Sequence, residues 1–179
     1  VFQREYRWEM EQIRDLIGDL EIKFLNEYDE KDERDEVQHY EKYYLGSIII
    51  SMKDNKRSII DGQQRLTSLT LLLIYLNNLQ KLRDVEPVPI EDLIFSTKYN
   101  KKSYNLNIEG RISCIEALFN NEEPDYSTEN ESVKNIIQRY GDIGELFSPE
   151  LKDNALPYFI DWLIDNVILV HIETSSDDD

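Results

Sequence analysis

Asp61-Gly62-Gln63-Gln64-Arg65 places a carboxylate, two primary amides and a guanidinium around one glycine. Asp61 is the group there that could hold a metal ion or orient a water. Gln63 and Gln64 offer amide donors, and Arg65 offers a planar fork suited to phosphate oxygens. The setting sharpens this reading. Ile59-Ile60 are β-branched and precede the turn, and a long apolar run follows to about Leu82. A strand that turns on a glycine and starts a helix leaves free backbone N–H groups at the helix N-terminus. That end carries partial positive charge and favours an anion. The expectation is a phosphate-binding turn for a nucleotide, although such a turn also occurs as a plain connection.

A second constellation opens the chain. Phe2-Gln3-Arg4-Glu5-Tyr6-Arg7-Trp8 combines two cations, an amide and three aromatics. In an extended segment, alternation sends Gln3, Glu5 and Arg7 to one face and Phe2, Arg4, Tyr6 and Trp8 to the other. An amphipathic edge element would look the same. The Gln3-Arg4 pair matters because Gln64-Arg65 repeats it, and two such donor sets can surround a triphosphate from both sides.

The elements that must position these groups are legible in part. Met10, Ile13, Leu16, Ile17, Leu20, Phe24 and Leu25 recur at helical spacing, predicting an amphipathic helix over 9–28. Residues 27–36 are almost wholly charged and read as a solvated loop or frayed helix end. Tyr43 to Met52 and Arg57 to Ile60 read as the arms of a hairpin turning at Asp54-Asn55-Lys56. The helix after Asp61 is apolar nearly all round its first turns, so it belongs in the core and holds the turn rigid. Arg83 to Pro89 reads as a linker. Beyond it the pattern is helical: 108–119, then a helix after a Thr128-x-x-Glu131 capping box, then 151–164 with Pro157 in its first turn. Val167 to Ile172 reads as a late strand that could rejoin the first sheet.

Composition sets the outer bounds. With 40% hydrophobic and 11% aromatic residues in 179, a folded core is expected rather than disorder. No apolar run approaches the roughly 18 residues of a membrane span. One cysteine, Cys114, excludes an internal disulfide framework and suits a reducing cytoplasm, and two distant histidines, His39 and His171, argue against a zinc site. The first residues are too charged for a signal peptide, while the Val1 start and Asp177-Asp178-Asp179 end suggest a piece of something longer. Net charge is −17, unevenly spread: residues 1–82 hold 12 Lys+Arg against 16 Asp+Glu, and 83–179 hold 8 against 21. So acidic a surface repels a DNA backbone at long range. Local cations, with Arg4, Arg7 and Arg65 the natural supply, would have to serve an anion.

Three blocks carry a resemblance: Phe2-Gln3-Arg4 with Tyr6 and Trp8, Tyr44-Leu45-Gly46-Ser47-Ile48, and Ile60-Asp61-Gly62-Gln63-Gln64-Arg65-Leu66-Thr67-Ser68-Leu69. Their order and spacing resemble the N-terminal domain of GmrSD-type, modification-dependent (type IV) restriction endonucleases, within the ParB/sulfiredoxin-like superfamily. The resemblance implies an α+β fold: a ParB-like mixed α/β core over 1–82, then a mainly helical extension over 83–179. It implies NTP binding and hydrolysis with Mg²⁺, the nucleotide being GTP or UTP, in a prokaryotic phage-defence protein. An HNH-type nuclease domain and modified DNA would be partners of the whole protein. Asp61, Gln63, Gln64 and Arg65 would be catalytic, and Gln3, Arg4, Gly62, Arg65 and Thr67 would bind nucleotide, with Asp61 touching Mg²⁺. Departures exist. Phe2 stands where tyrosine is usual, the preceding proline is missing, and no HNH signature or Phe-Glu-x-Leu-Asn-x-Arg-Gly motif is present.

The residues then support an NTPase without a Gly-x-x-x-x-Gly-Lys-Ser/Thr loop. Arg65 and the turn N–H groups would hold phosphates, Arg4 would neutralise charge opposite, and Gln63 or Gln64 would position water. A nucleotide-gated regulatory or DNA-binding module without appreciable hydrolysis, and a purely structural scaffold, are the alternatives.

Overall fold

Ile13, Leu16, Ile17, Leu20 and Phe24 lie on one stripe, and all are buried where residues Met10–Leu25 form helix α1. The computed structural model describes residues 5–53, 56–104 and 110–175. Phe2, Gln3 and Arg4, the Asp54-Asn55 turn, residues 105–109 and Asp177–Asp179 lie outside the described residues. Glu9 starts α1, its N–H donating to Gln12 Oε1 at 2.9 Å. The helix stops at Leu25, three residues short of the span the periodicity predicts, where the charged run begins.

That run is more than a solvated loop. Its end forms a 3-10 turn, Arg34–His39, against the later helix α5 (Leu156–Asn166). Arg34 Nε meets Asp161 Oδ2 at 2.5 Å, and the Asp32 carboxylate accepts from Tyr40 Oη at 2.6 Å. Asn166 donates to the carbonyls of Val37 and Tyr40, closing the turn from beneath.

Strands β1 (Tyr43–Lys53) and β2 (Lys56–Asp61) form the expected antiparallel hairpin. A register shift between Ile49 and Ile50 brings Asp61 opposite Ile49. Helix α2 (Gln63–Leu82) follows at once and buries Leu71, Leu72, Ile74, Leu76 and Leu79. Each such side chain contributes about 1.5–3 kcal/mol by leaving water, so Leu71→Ala would cost about 2–5 kcal/mol. Several buried polar groups on α2 find partners: Thr67, Ser68 and Thr70 donate to carbonyls one turn back, and Asn78 reaches Leu118 O and Tyr140 Oη. Gln80 pairs through both amide atoms with the Val88 backbone, which fastens the Pro87–Pro89 linker to the helix.

Beyond the linker the chain departs from a purely helical pattern. Phe95–Lys98 (β3) and Lys101–Tyr104 (β4) form a second hairpin. Among the residues of these strands whose burial is described, Phe95 and Tyr104 are buried and the rest exposed, so the period-two signal was too weak to show in the sequence. Helices α3 (Ile112–Phe119) and α4 (Glu131–Leu146) come next. The cap of α4 is Asn130 rather than Thr128: Asn130 Oδ1 accepts from Val133 N–H at 3.2 Å, and Thr128 Oγ1 accepts from Asn130 N–H. Asn130 sits one residue before the helix, where a short side chain reaches the third N–H. After α5, strand β5 (Val167–Ser175) returns to lie parallel to β1, giving the order β2-β1-β5.

The fold is therefore mixed α+β, with two small sheets against five α-helices among the described residues. Buried residues from α1, α2, α3, α4 and α5 join one apolar cluster. Phe24 of α1 meets Phe159 of α5 edge-on, with ring centroids 5.4 Å apart. No helix among the described residues is long and apolar enough to cross a membrane.

Candidate functional site

Two glycines shape the turn ahead of α2. Gly62 is its N-cap at φ +89°, and an added Cβ would lie 3.0 Å from Ser47 O and 3.2 Å from Ile48 Cα. Backbone cannot yield there, so only glycine lets α2 start hard against β1. With no side chain to cap it, α2 closes its first internal bond from Leu66 N–H to Gly62 O. The N–H groups of Gln63, Gln64 and Arg65 precede that bond, at the positive end of a 20-residue helix.

Gly46 is the second. It lies in a bulge where β1 shifts register against β5, at φ +145°. The Arg65 guanidinium covers it, so that a Cβ would fall 2.4 Å from Nη1 and 2.8 Å from Cζ. Arg65 is half-buried, and no carboxylate among the described residues pairs with it. Its charge is felt at Tyr43, where burial raises the phenol pKa and Arg65 offsets part of that rise.

The other expected site residues divide. Asp61 is exposed, and one of its oxygens accepts from Gly62 N–H at 2.8 Å. Gln63 is buried; its Nε2 donates to Ile59 O at 2.9 Å, while Oε1 has no donor. Gln64 is occupied by the chain itself: Oε1 accepts from Arg7 N–H at 2.7 Å and Nε2 donates to Glu5 O at 2.8 Å. Thr67 is 1% exposed and its hydroxyl donates to Gln63 O, which removes it from the reach of a ligand. Gln3 and Arg4 lie outside the described residues.

The Gln64 clamp joins the first sequence block to the third. Glu5 and Arg7 are exposed and Tyr6 is buried, matching the alternation expected of an extended segment. No neighbouring strand among the described residues pairs with this segment; side chains from two helices hold its backbone. Ser68 Oγ donates to Gln64 O, so Tyr6 Oη donates to Ser68, at 2.8 Å. Burial pushes the Tyr6 phenol up to about 12, which keeps it protonated for that role. From α4, Ser132 Oγ accepts from Tyr6 N–H, Asn135 donates to Tyr6 O and Trp8 O, and Arg139 also reaches Trp8 O. Sequence reasoning missed Ser132, Asn135 and Arg139. Their three-then-four spacing is a polar stripe on a helix, but nothing in the chain shows what that stripe meets.

Two clefts flank the segment. One, of about 680 Å³, is lined by Glu9, Met10, Glu131, Lys134, Gln138 and Arg139 among others. The second, about 570 Å³, lies between Glu5, Arg7, Trp8, Gln12 and Gln64. No group of three or more His, Cys, Asp or Glu among the described residues could hold a metal ion. A magnesium carried by nucleotide phosphates needs only one or two carboxylates, and exposed Asp61 beside the α2 N-terminus fits that lesser requirement.

An α+β domain with a glycine-capped helix, an arginine laid over a sheet bulge and a strapped N-terminal segment is thus defined. The family model for the GmrSD restriction endonuclease, N-terminal domain, matches residues 1–179, and the chain belongs to this family. No curated protein matches the chain.

Proposed function

We propose that this domain binds and hydrolyses a nucleoside triphosphate, GTP or UTP by family resemblance, within a modification-dependent restriction enzyme. The observation that carries this reading is the open N-terminus of α2 beside an Arg65 that lacks a carboxylate partner among the described residues. Phosphate oxygens would take the N–H groups of Gln63, Gln64 and Arg65 and the guanidinium. Asp61 would hold Mg²⁺ together with those oxygens; the ion, when bound, supplies further neutralisation of phosphate charge. Both ends of Gln64 are engaged, so Gln63 would be the amide to position a water, provided its buried, donor-free Oε1 turns towards the site when nucleotide binds. The hairpin, glycine turn and helix of residues 43–82 are consistent with a ParB-like core. In this reading the nuclease chemistry belongs to an HNH-type domain, and modified DNA is met by the whole protein.

The test is NTP turnover with Mg²⁺ in the intact protein and in Arg65→Ala. Loss of one preorganised charge donor is expected to slow turnover by about 10²-fold. Equal rates would refute the assignment. A nucleotide-gated switch is the second reading, favoured by the Gln64 clamp, which ties the first turn of α2 to a segment that α4 also grips. Tight NTP binding with no product formed would select it.

A further inference from the structure

The β3–β4 hairpin stands apart in charge from everything around it. Residues 83–179 contain 8 Lys+Arg against 21 Asp+Glu, yet three of those cations, Lys98, Lys101 and Lys102, fall within five residues. No carboxylate occurs between Asp92 and Glu109 in the sequence. The hairpin is rooted firmly. Phe95 and Tyr104 face each other across the strands and pack on Phe119 of α3, with centroids 4.9 and 6.3 Å from that ring. Lys102 lays its ammonium over Phe95 and Phe119, 4.9 and 4.7 Å from the centroids.

The tip is built differently. Lys98 and Lys101 are directly opposed in register, an arrangement of like charges that disfavours the hairpin. No ion pair offsets either of them among the described residues. Between them the chain turns in two residues, Tyr99 at φ 52° and Asn100 at φ 59°. Asn suits that geometry, whereas an aromatic does not. Tyr99 is nevertheless held there at 87% exposure, with Lys98 Nζ 5.5 Å from its ring. Two unpaired cations on one face of a ribbon, an exposed ring between them and an amide beside it form a set that solubility alone does not require.

We propose that the β3–β4 hairpin tip is a DNA-contacting element. Lys98 and Lys101 take backbone phosphates, and Tyr99 packs against sugar or a base edge where the ribbon meets a groove. A two-stranded ribbon fits the major groove of duplex DNA, and an Asn amide beside it can pair with a base edge. The strongly acidic remainder of the chain repels DNA elsewhere, so this small basic tip would also orient the approach. Duplex DNA is favoured over an acidic protein because the two cations match phosphates and the amide beside them matches a base edge.

The experiment is fluorescence anisotropy of the full-length protein with a labelled 20-base-pair duplex in EDTA, across a salt series. Compared are wild type, Lys98→Gln/Lys101→Gln, Tyr99→Ala, and a control of equal charge change, Lys31→Gln/Lys152→Gln. The hairpin pair is expected to weaken binding about tenfold or more at low salt. It should also reduce the slope of log K against log salt by about 2, one unit for each phosphate that is no longer neutralised. Tyr99→Ala should weaken binding with the slope kept. Hairpin and control variants that behave alike, or a wild type that does not bind duplex, would overturn the proposal. So would tighter, hairpin-dependent binding of an RNA duplex or an acidic peptide. Matching circular dichroism melts exclude misfolding, and NTP turnover unchanged in the hairpin variants separates this site from the α2 turn.

Discussion

The guanidinium of Arg65 rests on the bare backbone of Gly46, so closely that a single methyl group would fall 2.4 Å from Nη1. One residue comes from the first turn of α2 and the other from a β1 bulge, nineteen positions earlier in the chain. The contact explains why a glycine is needed in the middle of a strand. It also fixes where the arginine's charge is delivered.

Gly46→Ala is therefore expected to displace Arg65 rather than merely strain β1. Both effects act, since φ +145° is unfavourable for alanine and overpacking costs about 1–3 kcal/mol. Isothermal calorimetry should show NTP affinity falling about tenfold at a temperature where circular dichroism still reports a folded protein. Unchanged affinity in the folded variant would disconnect the bulge from the site.

Gln64→Leu removes the amide that reads Glu5 O and Arg7 N–H while keeping the side chain's bulk. Removing two hydrogen bonds in a partly exposed place is expected to cost about 1–3 kcal/mol. Residues 5–8 would keep their bonds to Ser132, Asn135 and Arg139, so limited proteolysis should report loosening of the segment before global unfolding. A variant as stable and protease-resistant as wild type would show that the clamp is incidental.

Glu21 supplies a prediction with a definite pH sign. Burial raises its carboxyl pKa above 4.5, the Ser148 N–H bond pulls it back down, and nearby Glu150 raises it. A raised folded-state value means that protonation favours the folded form. The resulting stability is fully present below the unfolded value and disappears as pH climbs through the folded one. Glu21→Gln keeps an acceptor for Ser148 and removes the charge. Its melting temperature relative to wild type should rise at pH 7.5 and the difference should shrink towards pH 4. A constant difference across that range would refute the burial argument.

The order of elements was legible where apolar residues run long. α1 carries a helical stripe, α2 is apolar nearly all round its first turns, the β1–β2 hairpin and β5 are runs rich in β-branched residues, and Gly62 marks the boundary between strand and helix. The β3–β4 hairpin was hidden because it buries one aromatic per strand. The 3-10 turn at 34–39 was hidden because its fastening charges look like solvated ones until Asp161 is opposite Arg34. At the site, Asp61, Gly62 and Arg65 were visible as chemistry. The actual employment of Gln64 and Thr67 was not, since a polar side chain does not announce whether its partner is a ligand or its own backbone.

The chain by itself determined the chemistry available at residues 61–65, because residue type and local turn propensity are properties of neighbouring positions. Tertiary structure decided which of those groups remain free. It laid Arg65 over Gly46, spent Gln64 on Glu5 and Arg7, and closed Thr67 into its own helix. These outcomes depend on contacts between elements that are distant in sequence. They are set by how α2, α4 and β1 pack, and no local pattern encodes that arrangement.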